Sequence, residues 1–204
     1  GWLNYQNKLT SHDPSAKYRV VYSRSGTYLT ATVVPVGPRS VTVKTQTGDV
    51  ELELRDTIID NTLYVAHVDS LEEADYLAAV LNSSVLDREV KRFQTKGEFG
   101  ARDFHKKPLE FPIPKYNSES NIHKQLAEFG KTARERVCGR VLKEVLHELG
   151  YDERLAERGY LTMQEVGRLR ATIRERLQDI LIGIDNLIAE LLSVKKTNTL
   201  LDYT

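Results

Sequence analysis

The hydrophobic period of this chain changes at Asp69-Ser70, and that change constrains its fold more than any other feature. Before it, apolar residues come in short β-rich runs broken by Gly and Pro; after it, they recur at helical spacing. Tyr18-Arg19-Val20-Val21-Tyr22 is the first run, and Tyr28 to Val34 follows the turn residues Ser25-Gly26. Pro35, Gly37 and Pro38 interrupt the pattern. Val41 to Lys44 and Val50 to Leu54 then flank Thr47-Gly48-Asp49 as a hairpin-like pair. Leu52 and Leu54 alternate with Glu51 and Glu53, so one face of the pair is expected to be buried and the other wet. Leu63 to Val68 is the most β-like segment.

Beyond the change, Ser70 is a good N-cap, and Glu73 lies at capping-box spacing. Leu71, Ala74, Leu77, Ala78 and Leu81 predict a helix, and a second short one is expected over Val85 to Phe93. Gly97 and Gly100 loosen the next stretch, while Pro108, Pro112 and Pro114 are expected to hold it extended. From Ser118 almost everything reads as helix. Ile122, Leu126, Phe129, Val137, Val141 and Val145 form one stripe, with Gly150 as its stop. A short connecting helix covers Asp152 to Arg158. The last helix starts with Thr162 as cap, Glu165 at capping-box spacing, and a Leu161/Val166 staple. Its stripe from Val166 to Leu191 predicts one unbroken helix of roughly thirty residues, about 45 Å long. Two such stripes need cover, so an antiparallel hairpin is expected, packed internally or against a further surface. The fold class expected is therefore α+β. A mixed or antiparallel sheet domain with short helices occupies residues 1–117, and a long helical hairpin occupies 118–204.

The 204 residues carry 29 basic and 29 acidic side chains, so no overall attraction to a polyanion is implied. Cys138 is the only cysteine, which leaves no disulfide framework or thiolate cluster; its helical setting predicts a semi-buried structural thiol. No run of 18 apolar residues and no signal peptide occur, so a cytoplasmic protein without membrane contact is expected. The start at Gly1-Trp2, without methionine, reads as a piece of something larger. Between Asn121 and Val194 there are 12 bases and 12 acids, the mixture of a solvated, salt-bridged surface.

Catalytic signatures are missing. There is no His-Glu-x-x-His, P-loop, G-x-S-x-G or G-x-G-x-x-G. The five histidines, His12, His67, His105, His123 and His147, lack metal-ligand spacing. Asp49, Glu51, Glu53, Asp56 and Asp60 form an acidic interval that could in principle hold Mg²⁺, but simple exposure accounts for it. The interval from Arg88 to Lys107 is more informative, with seven bases against Glu89, Glu98 and Asp103. Such a segment could follow a phosphate backbone, or be a solvated loop.

The order of elements carries a resemblance. A strand ends at Tyr64-Val65-Ala66; the Ser70-capped helix runs into Leu81-Asn82-Ser83; a Gly/Lys-rich passage leads to Leu109-Glu110-Phe111-Pro112-Ile113-Pro114. From about Tyr18 to Pro114 this resembles the target-recognition region of adenine-N6 DNA methyltransferases of the TaqI-like or Eco57I-like type, including combined restriction–modification polypeptides. The resemblance implies that Leu81-Asn82-Ser83 and Pro112–Pro114 are scaffold, with Asn82 and Ser83 ending one helix and starting the next. It implies double-stranded DNA as partner, read by neighbouring loops and strand edges. By position the candidates are Arg24, Ser25, Tyr28, Arg39, Lys44 and Gln46, then Lys96, Arg102, Lys106 and Lys107. It also implies a parent enzyme using S-adenosylmethionine in an N-terminal methyltransferase domain of the same polypeptide.

Neither that cofactor domain nor an Asn/Asp-Pro-Pro-Tyr/Phe motif is present; Asp13-Pro14-Ser15 lacks the second proline and the aromatic. The chain itself is thus expected to hold no cofactor and catalyse nothing. Two other readings stay open: an assembly module using the helical region, with homo-oligomers as one outcome, and a small metal-dependent nuclease built around Glu51.

Overall fold

The computed structural model describes residues 15–199, apart from 27, 46, 58, 60–61, 94–95, 98–99 and 102–106. For 44–45, 96–97, 100–101 and 193–199 it describes the backbone alone. The architecture is α+β with antiparallel sheets followed by a long helical region. Strands β1 (Tyr18–Ser23), β2 (Ala31–Pro35) and β5 (Leu63–Val68) form the main sheet, with β1 in the middle. β1 is antiparallel to both neighbours, and Val20 lies opposite Val33 on one side and Ala66 on the other. This register puts Tyr18, Val20, Tyr22, Ala31, Val33, Tyr64, Ala66 and Val68 on one face, as the period-2 pattern requires.

That face packs on α1 (Leu71–Asn82). Ser70 caps α1, its Oγ accepting from the Glu73 N–H at 3.1 Å. α1 is buried nearly all round, because Ala74, Ala78 and Leu81 meet the core together with Tyr76, Ala79 and Val80. Its other side receives α4 (Asn121–Arg136). The approach is close: a Cβ on Gly130 would fall 2.1 Å from the Asp75 carbonyl oxygen. Asp75, fully buried on α1, accepts two hydrogen bonds from Arg134 of α4 at 2.8 and 2.9 Å. The apolar cluster runs without interruption from Val20 and Leu81 through Leu126 to Ile184 and Ile188, so sheet segment and helical tail share one core.

After α4 a π-helical segment, Val137–Val141, leads into α5 (Leu142–Glu148). Gly150, at φ 64°, ends that run as anticipated, and α6 (Tyr151–Arg158) follows. Thr162 and Glu165 form a reciprocal capping box at the start of α7 (Met163–Arg176). Arg154, Arg158 and Thr162 all donate to Glu165 and hold its carboxyl far below the usual carboxylate range.

Four expectations need correction. The last helix is not continuous: it breaks at Leu177 into α7 and α8 (Gln178–Thr199). The Leu177 N–H bonds the Arg174 carbonyl three residues back, and both Leu177 and Ile180 enter the core. The apolar stripe continues across the break, which is why periodicity does not register it. Second, β3 (Arg39–Thr45) and β4 (Gly48–Leu54) form a separate two-stranded ribbon with neither face covered. Val43, Val50 and Leu52 are 41–44% exposed, since no described element packs on them. Third, Cys138 is exposed, since twelve residues after buried Leu126 it stands about 120° round the helix from the buried side. Fourth, Pro108 lies in a helical turn, α3 (Lys107–Glu110), where a first-turn proline needs no N–H. The second short helix, α2 (Ser84–Lys91), forms as expected.

Candidate nucleic-acid interface

The connection from β1 to β2 is held from outside the sheet by the junction of α1 and α2. Asn82 donates from Nδ2 to the Ala31 carbonyl (2.9 Å) and accepts the Ala31 N–H at Oδ1 (3.1 Å). The same Nδ2 also donates to the Ala78 carbonyl at 2.8 Å. Two residues earlier, the Leu29 N–H donates to buried Asp87 Oδ1 at 2.8 Å. Ser83 starts α2, its Oγ accepting from Leu86 N–H at 3.1 Å. The Leu81-Asn82-Ser83 scaffold role is therefore divided: Ser83 is the helix cap, and Asn82 serves the sheet.

This clasp presents Tyr28. Asp87 Oδ2 fixes Lys91 by a 2.6 Å ion pair, and the Lys91 ammonium lies 4.8 Å from the Tyr28 ring centroid. The Arg174 guanidinium lies 5.1 Å from the same centroid. Its two donors reach the Asn82 carbonyl (3.2 Å) and Ser84 Oγ (3.3 Å), so it is oriented by neutral acceptors. One ring thus engages cations from two helices, an arrangement in which the π face offsets part of their mutual repulsion. Arg170, one turn before Arg174, borders Gly26; a Cβ there would sit 3.4 Å from Arg170 Nη1. Neither Arg170, Arg174 nor exposed Arg88 has a carboxylate partner among the described residues. Beyond the end of α2, Phe93 is 67% exposed, and Lys107 lies 5.8 Å from its ring centroid while paired to Glu110 at 2.6 Å.

Of the residues singled out by sequence, Arg24, Ser25 and Tyr28 share the β1–β2 loop, beside Arg170 and Arg174. Lys107 belongs to the Phe93 contact. Arg39 is on the ribbon and donates to Thr57 Oγ1 at 2.5 Å. Lys44 faces Asp49 in the register, and Ser40 and Thr42 face Glu53 and Glu51, so that ribbon face bears acids that phosphates repel. Lys96 is in the short strand β6 (Lys96–Gly97), paired with β7 (Gly100–Ala101). The side chains of Lys44 and Lys96, and all of Gln46, Arg102 and Lys106, lie outside the described residues. Arg19 is structural: it is buried and pairs with Asp56 at 2.8 Å, which holds the Asp56 carboxyl below its ordinary range.

Sequence reasoning missed Arg170 and Arg174, which it left on a solvated, salt-bridged helix. The only signal was their helical spacing; the break at Leu177, which sets the course of α7 relative to α8, has none. Among the described residues, no three His, Cys, Asp or Glu side chains come together as a metal site, and no helix is long and apolar enough to cross a membrane. Compared with known proteins, the chain matches no protein-family model, no curated protein and no solved structure.

Proposed function

We propose that this chain is the double-stranded DNA recognition part of a restriction–modification adenine-N6 methyltransferase acting in the cytoplasm. The observation that carries the reading is Tyr28 with Lys91 and Arg174 at its ring, on a loop fixed by Asn82 and Asp87. Aromatic and cationic groups at a rigid, half-exposed site suit a polyanion better than a neutral partner. Arg88 and Arg170, free of acids among the described residues, are the phosphate contacts in this reading. Arg24, Ser25 and Lys96 belong to the group that reads base edges. Methyl transfer, S-adenosylmethionine and the flipped adenine all belong to an N-terminal domain of the same polypeptide. The chain's own task is to bring one DNA site to that domain.

The test is selection of duplexes from a randomised pool, followed by binding of the enriched duplex at several salt concentrations. One enriched sequence and a negative slope of log affinity against log salt are expected. Arg88→Ala should lower the slope by about 1 without changing the sequence. Tyr28→Ala should weaken the selected duplex. No enrichment with a folded protein overturns the proposal. A second reading, an assembly module, is favoured by the uncovered apolar face of the ribbon at Val43, Val50 and Leu52. It predicts self-association lost on Leu52→Lys, with no preference among duplexes.

A further inference from the structure

Arg170 and Arg174 also line a cavity of about 230 Å³ enclosed by β2, α1, α4 with its π segment, and the α7–α8 break. Its walls are mostly apolar, with Val33, Ala79, Ala133, Ile173, Leu177 and Ile184 among them. Asp75 and Arg134 also face it, but they neutralise each other through their paired hydrogen bonds. The charge left over is that of Arg170 and Arg174, one helical turn apart, and neither meets a carboxylate among the described residues. Exposed Cys138 stands at the rim.

We infer that this cavity binds a small organic anion with an apolar body, the chemistry of a medium-chain carboxylate. Apolar cavities of about 150 Å³ take benzene, so this one has room for about ten non-hydrogen atoms. Guanidinium groups prefer carboxylates, which they bind with two parallel hydrogen bonds. A bare inorganic anion would satisfy the arginines and leave the apolar walls unused. A neutral apolar molecule would do the reverse. The site shares Arg170 and Arg174 with the DNA reading, but it is tested in the absence of DNA, so the two can fail separately.

Octanoate is the probe, added to the full chain, with 1-octanol and inorganic phosphate as controls. Cys138 is the only thiol, so its rate of alkylation by iodoacetamide reports events at the rim without a label. Octanoate is expected to slow alkylation and raise the melting temperature, while the controls at equal concentration do neither. Arg170→Gln should weaken the octanoate effect about tenfold or more, the loss of a charge-assisted hydrogen-bond pair. Ala133→Leu fills the space and should abolish the effect with little change in the free protein's helicity. Absence of an octanoate effect, equal effects of octanol, or undiminished binding by either variant overturns the inference.

Discussion

The carboxamide of Asn82 does for Ala31 what a neighbouring strand would do, accepting its N–H and donating to its C=O at 3.1 and 2.9 Å. β2 is an edge strand, and odd-numbered residues turn their backbone groups away from β1. A single side chain therefore closes the first step of an open edge, at the end of the helix that covers the sheet.

Asn82→Ala removes the side-chain partners of the Ala31 N–H and C=O and one extra bond to the Ala78 C=O, which keeps its helical partner, the Asn82 N–H. A loss of about 2–4 kcal/mol in urea unfolding is expected. Asn82→Asp keeps the acceptor and loses both donated bonds, so it should not restore stability. A loss below about 1 kcal/mol for alanine would mean that water takes over the edge.

Two glycines in helices should respond to alanine with opposite sign. At Gly130 the new Cβ meets the Asp75 carbonyl at 2.1 Å and Ala79 Cβ at 3.3 Å, so α4 must lift from α1. The cost is about 1–3 kcal/mol, more than the helix propensity gained. At Gly167 nothing lies within 4 Å of the new Cβ, and Gly167→Ala should stabilise by about 0.5–1 kcal/mol. Thermal melts of the two variants give the comparison.

His123 predicts a pH dependence. Its Nδ1 accepts the Asn117 N–H at 3.0 Å, its ring lies 4.8 Å from that of Tyr76, and burial holds its pKa below the ordinary value. Below about pH 6.5 the unfolded chain takes up a proton that the folded chain refuses, so stability falls as pH drops from there towards the folded pKa. Exposed His147, raised by Asp152, acts in the opposite direction, favouring the folded state at low pH and losing that contribution as pH rises. The difference from His123→Asn, whose Oδ1 can still accept from Asn117, isolates the first effect. Identical pH profiles of the two proteins would remove His123 as its source.

Amide exchange should separate the two sheets. The β3–β4 ribbon has no covering layer, and a lone hairpin is marginal in water. Its amides are expected to exchange by local opening, while those of β1 exchange only on global unfolding. Equal protection in Val43 and Val20 would mean that the ribbon is covered in solution.

What was legible in the sequence is what neighbours in the chain decide. Ser70 and Thr162 cap helices through residues three places on, Gly150 stops one, and the ribbon register follows from its turn. Contacts across the fold left no local mark. Asn82 reaches Ala31 over 51 positions, and Arg174 reaches Asn82 over 92. Tyr28 could be singled out as a candidate, but not the two cations at its ring. The alternation of Leu52 and Leu54 with Glu51 and Glu53 is a true strand signal, yet it cannot tell whether anything covers the apolar side. The continuous stripe from Val166 to Leu191 concealed the break at Leu177 because Ile173 before it and Ile180 after it both pack against the same core.

The π segment at Val137–Val141 has a consequence for how α4 and α5 share one axis. Leu142 donates to the Val137 carbonyl, five residues back, so the segment absorbs one residue beyond the α-helical repeat. Leu126 and Val145 are both fully buried, although five α-helical turns from Leu126 would end about one residue short of Val145. Without the wider turn, Val145 would point about 100° away from the side that Leu126 occupies. The segment therefore works as a phase corrector. Deleting Gly139 would leave a more regular helix with Val145 five whole turns after Leu126, so everything downstream should keep its side, whereas forcing the full-length segment into α-helix would rotate it by about 100°.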